Sequence, residues 1–163
     1  VAVCVHDLAA GQAFYEALGF APGPVYTSAG RRVAALMESE ATSFSGVFLR
    51  LGEVLIELLA YDPPIAPPRS PRAADQVGYA HVSLVVDDLA AATAEVQAHG
   101  GARRTTFEHA FADGVTAIAF VTDPSGNRVE LIEHSTPAER EAHGAYLGLD
   151  ALGWPAEVRP ARR

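Results

Sequence analysis

The opening of the chain, "VAVCVHDLAAGQAFYEALGFA", returns 81 residues later as "VSLVVDDLAAATAEVQAHGGA". At that fixed offset Val1, Val5, Asp7, Leu8, Ala9, Ala10, Ala13, Ala17, Gly19 and Ala21 each meet their own residue type. Alanine-rich helices inflate such a count. An Asp-Leu pair and a glycine at matched places are harder to dismiss. A repeat of this kind constrains the fold strongly: each copy is one supersecondary unit, and the copies bury apolar faces together.

Each copy reads as a strand, a helix and further strands. "VAVCV" and "HVSLVV" are short β-rich runs. Asp7 and Asp88 are placed as N-caps, and Gly19 and Gly100 as the left-handed residues that end the helices. Leu8, Ala13, Phe14, Ala17 and Leu18 form one apolar stripe. "RRVAALME", "SGVFLRLG" and "EVLIELLAY" are the expected strands of the first copy. "GARRTTFEHA", "GVTAIAFVTD" and "NRVELIEH" are those of the second. Leu51-Gly52-Glu53 and Asp123-Pro-Ser-Gly-Asn127 are turn signals. The expectation is an α+β fold: two βαβββ modules, 1–62 and 78–134, forming an eight-stranded cupped sheet with helices outside.

Five of the eleven prolines fall between Pro63 and Pro71, which makes 63–77 an extended linker. Thr136, Pro137 and Glu139 resemble a capping box. They open a C-terminal helix over about 137–147, within a tail of 135–163. A net charge of −8 argues against a nucleic-acid partner and against attachment to anionic lipid. No apolar run approaches the roughly 18 residues of a membrane span. Cys4 is the only cysteine, which fits a reducing cytoplasm and excludes an internal disulfide. Its apolar setting reads as a buried small hydrophobe.

Glu57 in "VLIELL" and Glu130 in "RVELIE" are carboxylates flanked by apolar residues on the last strand of each copy. Alternation along a strand turns Ile56 and Leu58 to one face and Glu57 to the other, and does the same for Glu130 between Val129 and Leu131. A carboxylate on a concave sheet face is costly unless it is paired, hydrated or bound to a metal. The bland alternative is a solvated outer face. Recurrence in both copies favours function. His81 begins the first strand of the copy that carries Glu130. One histidine and two carboxylates form a plausible ligand set for Zn, Ni, Co, Mn or Fe. Three such ligands leave positions open for substrate.

The run "HVSLVVDDLAAATAEVQAHGG … GVTAIAFVTDPSGNRVELIEH" resembles the vicinal oxygen chelate superfamily of glyoxalases, bleomycin resistance proteins and extradiol dioxygenases. Phe14-Tyr15 and Leu18–Phe20 are similar to its first-module signature. The resemblance covers about 1–134. It implies a divalent metal held by the first residue of strand one and a residue of the last strand in each module. Here those positions are the one preceding Val1, then Glu57, His81 and Glu130. A ligand at the place of Glu57 is implied for the lyases and isomerases and is absent from the ring-cleaving dioxygenases.

The resemblance thus implies a metal-dependent lyase, isomerase or epimerase. Its substrate would carry adjacent oxygens, and Glu130 or Glu57 would be the general base. A homodimer is the expected assembly. The alternatives are a binding or resistance protein for an aromatic or antibiotic-like molecule, and an Fe(II) dioxygenase. Arg31, Arg32 and Arg50 are candidates for an anionic substrate group, and His109 for the pocket border.

Overall fold

The computed structural model describes residues 1–63, 75, 77–111 and 114–134. In chain order the elements are β1 (Ala2–Cys4), α1 (Leu8–Ala17), β2 (Ala21–Ala29), α2 (Arg31–Leu36), β3 (Ser43–Leu51), β4 (Val54–Asp62), β5 (Val82–Val86), α3 (Leu89–Ala98), β6 (Ala102–Phe111), β7 (Gly114–Thr122) and β8 (Arg128–His134). The eight strands make two hydrogen-bonded sheets of four, ordered β1-β4-β3-β2 and β5-β8-β7-β6. In each sheet the first strand runs parallel to the last and the other pairings are antiparallel. The helices start as the repeat requires. Asp7 accepts from the Ala10 N–H at 3.0 Å and Asp88 from the Ala91 N–H at 2.8 Å. Gly19 and Gly100 follow the helix ends at φ 92° and 81°, a left-handed conformation that favours glycine.

One expected strand is elsewhere. The pattern of "RRVAALME" predicts a strand, but Arg31–Leu36 is α2, and the strand lies earlier, over Ala21–Ala29. That segment holds Pro22 and Pro24, which argue against a strand in a sheet interior. Here β2 is an edge strand, and a bulge between Pro22 and Val25 absorbs the missing donors. The Val-Ala-Ala-Leu run then follows its helix propensity.

Both copies contribute to one core. Phe14, Tyr15, Val47, Leu49, Ile56 and Leu58 from the first join Leu84, Val96, Val121, Val129 and Leu131 from the second. Full burial of such side chains stabilises by about 1.5–3 kcal/mol each. On α1 the fully buried residues are Gly11, Phe14 and Tyr15, so the stripe is rotated from the expected one; Leu8, Ala13, Ala17 and Leu18 are half-buried. Gly101 lets the copies approach closely, since a Cβ there would stand 2.6 Å from Cε2 of Phe14.

The loop Asp123–Asn127 clasps the first copy. Its buried Asp123 carboxylate accepts from the Ser125 N–H (2.9 Å), the Asn127 N–H (2.8 Å) and Asn127 Nδ2 (2.8 Å). So ordered, Asn127 Nδ2 also donates to the Cys4 carbonyl (3.0 Å), and Ser125 Oγ accepts from the His6 N–H (2.9 Å).

Cys4 departs from expectation. It is exposed, because β1 is an edge strand of its sheet. The surroundings of its sulfur still push the thiol pKa up by desolvation, which disfavours the nucleophilic thiolate. Among the described residues no helix is long and apolar enough to cross a membrane. Most of the linker and all of the tail, with its expected helix, lie outside the described residues.

Candidate functional site

β4 and β8 each turn a glutamate away from the shared core. Ile56 and Leu58 are buried with Glu57 half-buried between them, and Val129 and Leu131 frame Glu130 in the same way. The period of two along a strand produces both arrangements.

In the second sheet three groups converge on Glu130. Ser83 on β5 lies opposite it and donates its hydroxyl to Glu130 Oε2 at 2.5 Å. His81, just before β5, places Nε2 3.4 Å from the same oxygen. The imidazole stands edge-on to Phe120 at 5.2 Å, and Phe120 is the partner of Glu130 across β7.

In the first sheet Glu57 lies opposite Ala2 on β1 and Phe48 on β3. Ala2 has nothing to donate. The donor comes from β2 instead: the Tyr26 side chain reaches across β3 and its hydroxyl donates to Glu57 Oε1. Tyr26 stacks on Phe48 at 5.7 Å and meets Phe44 edge-on at 6.1 Å, and Phe44 in turn contacts Tyr61. Desolvation, then the hydrogen bond and charge of Glu57, push the Tyr26 phenol up to about 12, so it remains a donor at neutral pH. Desolvation also raises the pKa of Tyr61, with smaller contributions from Cys4 and Glu57.

The structure therefore brings His81 and Glu130 together and places Glu57 on the other sheet. Among the described residues no group of three histidine, cysteine, aspartate or glutamate side chains is close enough to hold a metal ion. Arg31 and Arg32 lie on α2, exposed, and Arg50 donates to the Gly52 carbonyl at 3.4 Å. The backbone of His109 is in β6, and its side chain lies outside the described residues. Phe48, Leu55, Val85 and Phe107 are exposed on the glutamate-bearing faces, where strand register puts them.

Sequence reasoning missed Ser83 and Tyr26. Ser83 was recoverable, because it stands two residues after His81 and so shares its face. Tyr26 gave no such signal, since its segment did not read as a strand.

Two βαβββ modules that turn matched carboxylates from their last strands define the class to which this chain belongs. Residues 1–131 match the Glyoxalase/Bleomycin resistance protein/Dioxygenase superfamily, and the chain is a member of it. A 55-residue stretch is 42% identical to lactoylglutathione lyase of Escherichia coli O157:H7, covering 34% of this chain and 40% of that enzyme. The chain therefore matches less than half the length of that relative. Among solved structures, a glyoxalase family protein from Bacillus cereus superimposes with a TM-score of 0.70 at 17% identity, over 82% of this chain and 90% of that one. One from Enterococcus faecalis gives 0.56 at 25% identity, over 82% and 94%. The fosfomycin resistance protein FosX from Mesorhizobium loti gives 0.51 at 16% identity, over 87% and 94%. The superfamily includes metalloenzymes and resistance proteins, and its members typically bind small molecules and form dimers.

Proposed function

We propose that the chain is a metal-dependent lyase, isomerase or epimerase. It takes a proton from a carbon beside a carbonyl, and its complete site forms between two copies. The supporting observation is the His81–Glu130 contact, with Glu57 at the equivalent place on the other sheet. An imidazole nitrogen and carboxylate oxygens suit a divalent Zn, Ni, Co, Mn or Fe ion. His81 and Glu130 would supply two donors from one sheet and Glu57 a third. These three do not cluster within one chain. Glu57 of one copy would therefore meet His81 and Glu130 of a second, giving a homodimer. The exposed apolar residues on both glutamate faces support burial of those faces on association or ligand binding.

A divalent ion held there supplies Lewis acidity toward a substrate with adjacent oxygens. The chain's own groups do the rest. Glu130 is the general base: Ser83 and His81 engage Oε2, and Oε1 has no hydrogen bond among the described residues. Glu57, tied by Tyr26, is the holding carboxylate. Phe120 and Phe48 stand beside the two glutamates as their cross-strand partners.

The test is deuterium wash-in from D2O at the carbon beside the carbonyl, followed by NMR across a panel of α-hydroxy ketones and acids. Zn(II) and Ni(II) titrations run in parallel. Glu130→Gln is expected to lower exchange by about 10²–10⁴-fold with circular dichroism unchanged. Undiminished exchange removes Glu130 as the base. Tight binding of an aromatic ligand by metal-free protein, without exchange, makes the chain a sequestering protein. Oxygen uptake with a catechol after Fe(II) loading makes it a dioxygenase.

A further inference from the structure

The repeat exposes an exchange of parts around the two glutamates. By the offset of 81, Ser83 corresponds to Ala2 and Tyr26 to Phe107. Register agrees: Ala2 faces Glu57 as Ser83 faces Glu130, and the bulges of β2 and β6 begin at the matched residues Pro22 and Arg103. The second copy holds its glutamate with a hydroxyl on the first strand of the module. The first copy lacks that hydroxyl and carries one on the second strand instead.

Tyr26 can act from that distance because of the residue beneath it. It is paired with Gly46, whereas Phe107 is paired with Ile118. A Cβ at Gly46 would stand 2.5 Å from both Cζ and Oη of Tyr26. No real Cβ contact is that short, so the phenol lies across β3 only where glycine leaves the space. Phe107 has no such space and no hydroxyl, and it is 58% exposed.

We infer that Tyr26 is the positioning residue of Glu57, and that Gly46 is the space it requires. The inference rests on the reading of Glu57 as a metal-holding carboxylate. The phenol takes Oε1 and leaves Oε2 without a hydrogen bond among the described residues, so the carboxylate presents one fixed oxygen. Outer hydrogen bonds of this kind fix ligand orientation, and their loss lowers metal affinity by roughly 10–100-fold.

The experiment uses Zn(II) and Co(II) affinity, measured by competition with a chromophoric chelator, on the whole chain. Tyr26→Phe keeps the ring and its stacking and removes only the hydroxyl. Its affinity is expected to fall roughly 10–100-fold with the melting curve unchanged. Gly46→Ala is expected to weaken affinity through crowding. Ala2→Ser in the Tyr26→Phe background restores a donor at the position Ser83 occupies, and is expected to recover much of the loss. A purely structural Tyr26 would show neither the selective loss nor that rescue. In metal-free protein a low-field phenolic proton in the NMR spectrum should vanish in both Tyr26→Phe and Glu57→Gln. Wild-type affinity retained by Tyr26→Phe, or absence of that proton, overturns the inference and leaves the metal reading standing. A wild-type chain that binds neither metal overturns the metal reading, and this role of Tyr26 with it.

Discussion

The two modules share strand order, helix caps and a glutamate on the last strand, yet they secure that glutamate in different ways. In the second, His81 and Ser83 approach Glu130 from the first strand of the module. In the first, Tyr26 approaches Glu57 from the far edge of the sheet, over Gly46. The scaffold is repeated, and the surroundings of the glutamate differ. A symmetric pair would offer two equivalent carboxylates. Here one glutamate has an imidazole and a hydroxyl beside it and the other a phenol, so the two carboxylates are not equivalent.

The largest effect that could break this comparison comes from mixing variants. If Glu57 of one copy serves the His81–Glu130 pair of another, Glu57→Gln and Glu130→Gln homodimers should each be inactive. A mixed dimer then carries one doubly altered site and one intact site. After unfolding and refolding together at equal amounts, about a quarter of wild-type exchange should return, since half of the dimers are mixed and each holds one working site. No recovery, with mixed dimers present by native mass spectrometry, places all three residues within one chain's site.

A second effect concerns the clasp between the modules. Asp123→Ala leaves the N–H groups of Ser125 and Asn127 without their acceptor and loosens the contacts to Cys4 and His6. The expected cost is about 2–4 kcal/mol in urea unfolding. Burial raises the pKa of Asp123, and hydrogen bonds from its own loop lower it without cancelling the rise. The folded chain then holds this proton more tightly than the unfolded one. Its stabilising contribution is present below the unfolded carboxylate pKa and is lost as pH rises through the elevated folded value. The stability difference between Asp123→Asn and wild type should therefore move toward the variant as pH rises across that window. A difference that is flat with pH removes Asp123 as the source.

Much of the frame could be read from the sequence because it rests on local rules. Asp7, Asp88, Gly19 and Gly100 announced the helix ends, and the Asp123 turn announced β8. Glu57 and Glu130 were visible because strand alternation sets them against buried neighbours. What escaped depended on pairing. Pro22 and Pro24 concealed β2, since only an edge position tolerates them. With β2 hidden, nothing could place Tyr26 opposite Gly46 or near a glutamate 31 residues away. The placement of Glu57 on one sheet and of His81 and Glu130 on the other is likewise a matter of module packing, to which no single residue points.

The smallest expected effect is the sharpest test of how the modules diverged. Phe107→Tyr gives the second module the hydroxyl that Tyr26 carries in the first, at the matched position on its second strand. It should change neither stability by more than about 0.5 kcal/mol nor metal affinity, because Ile118 occupies the path that Gly46 leaves open. Combining it with Ile118→Gly opens that path, at a cost of about 1 kcal/mol for glycine relative to alanine in a strand and the packing lost with the half-buried isoleucine side chain. A second low-field phenolic proton should then appear, and it should disappear again with Glu130→Gln. Its appearance in Phe107→Tyr alone would mean that the ring can reach the glutamate without the glycine. The space above β3 would then not be what separates the two modules.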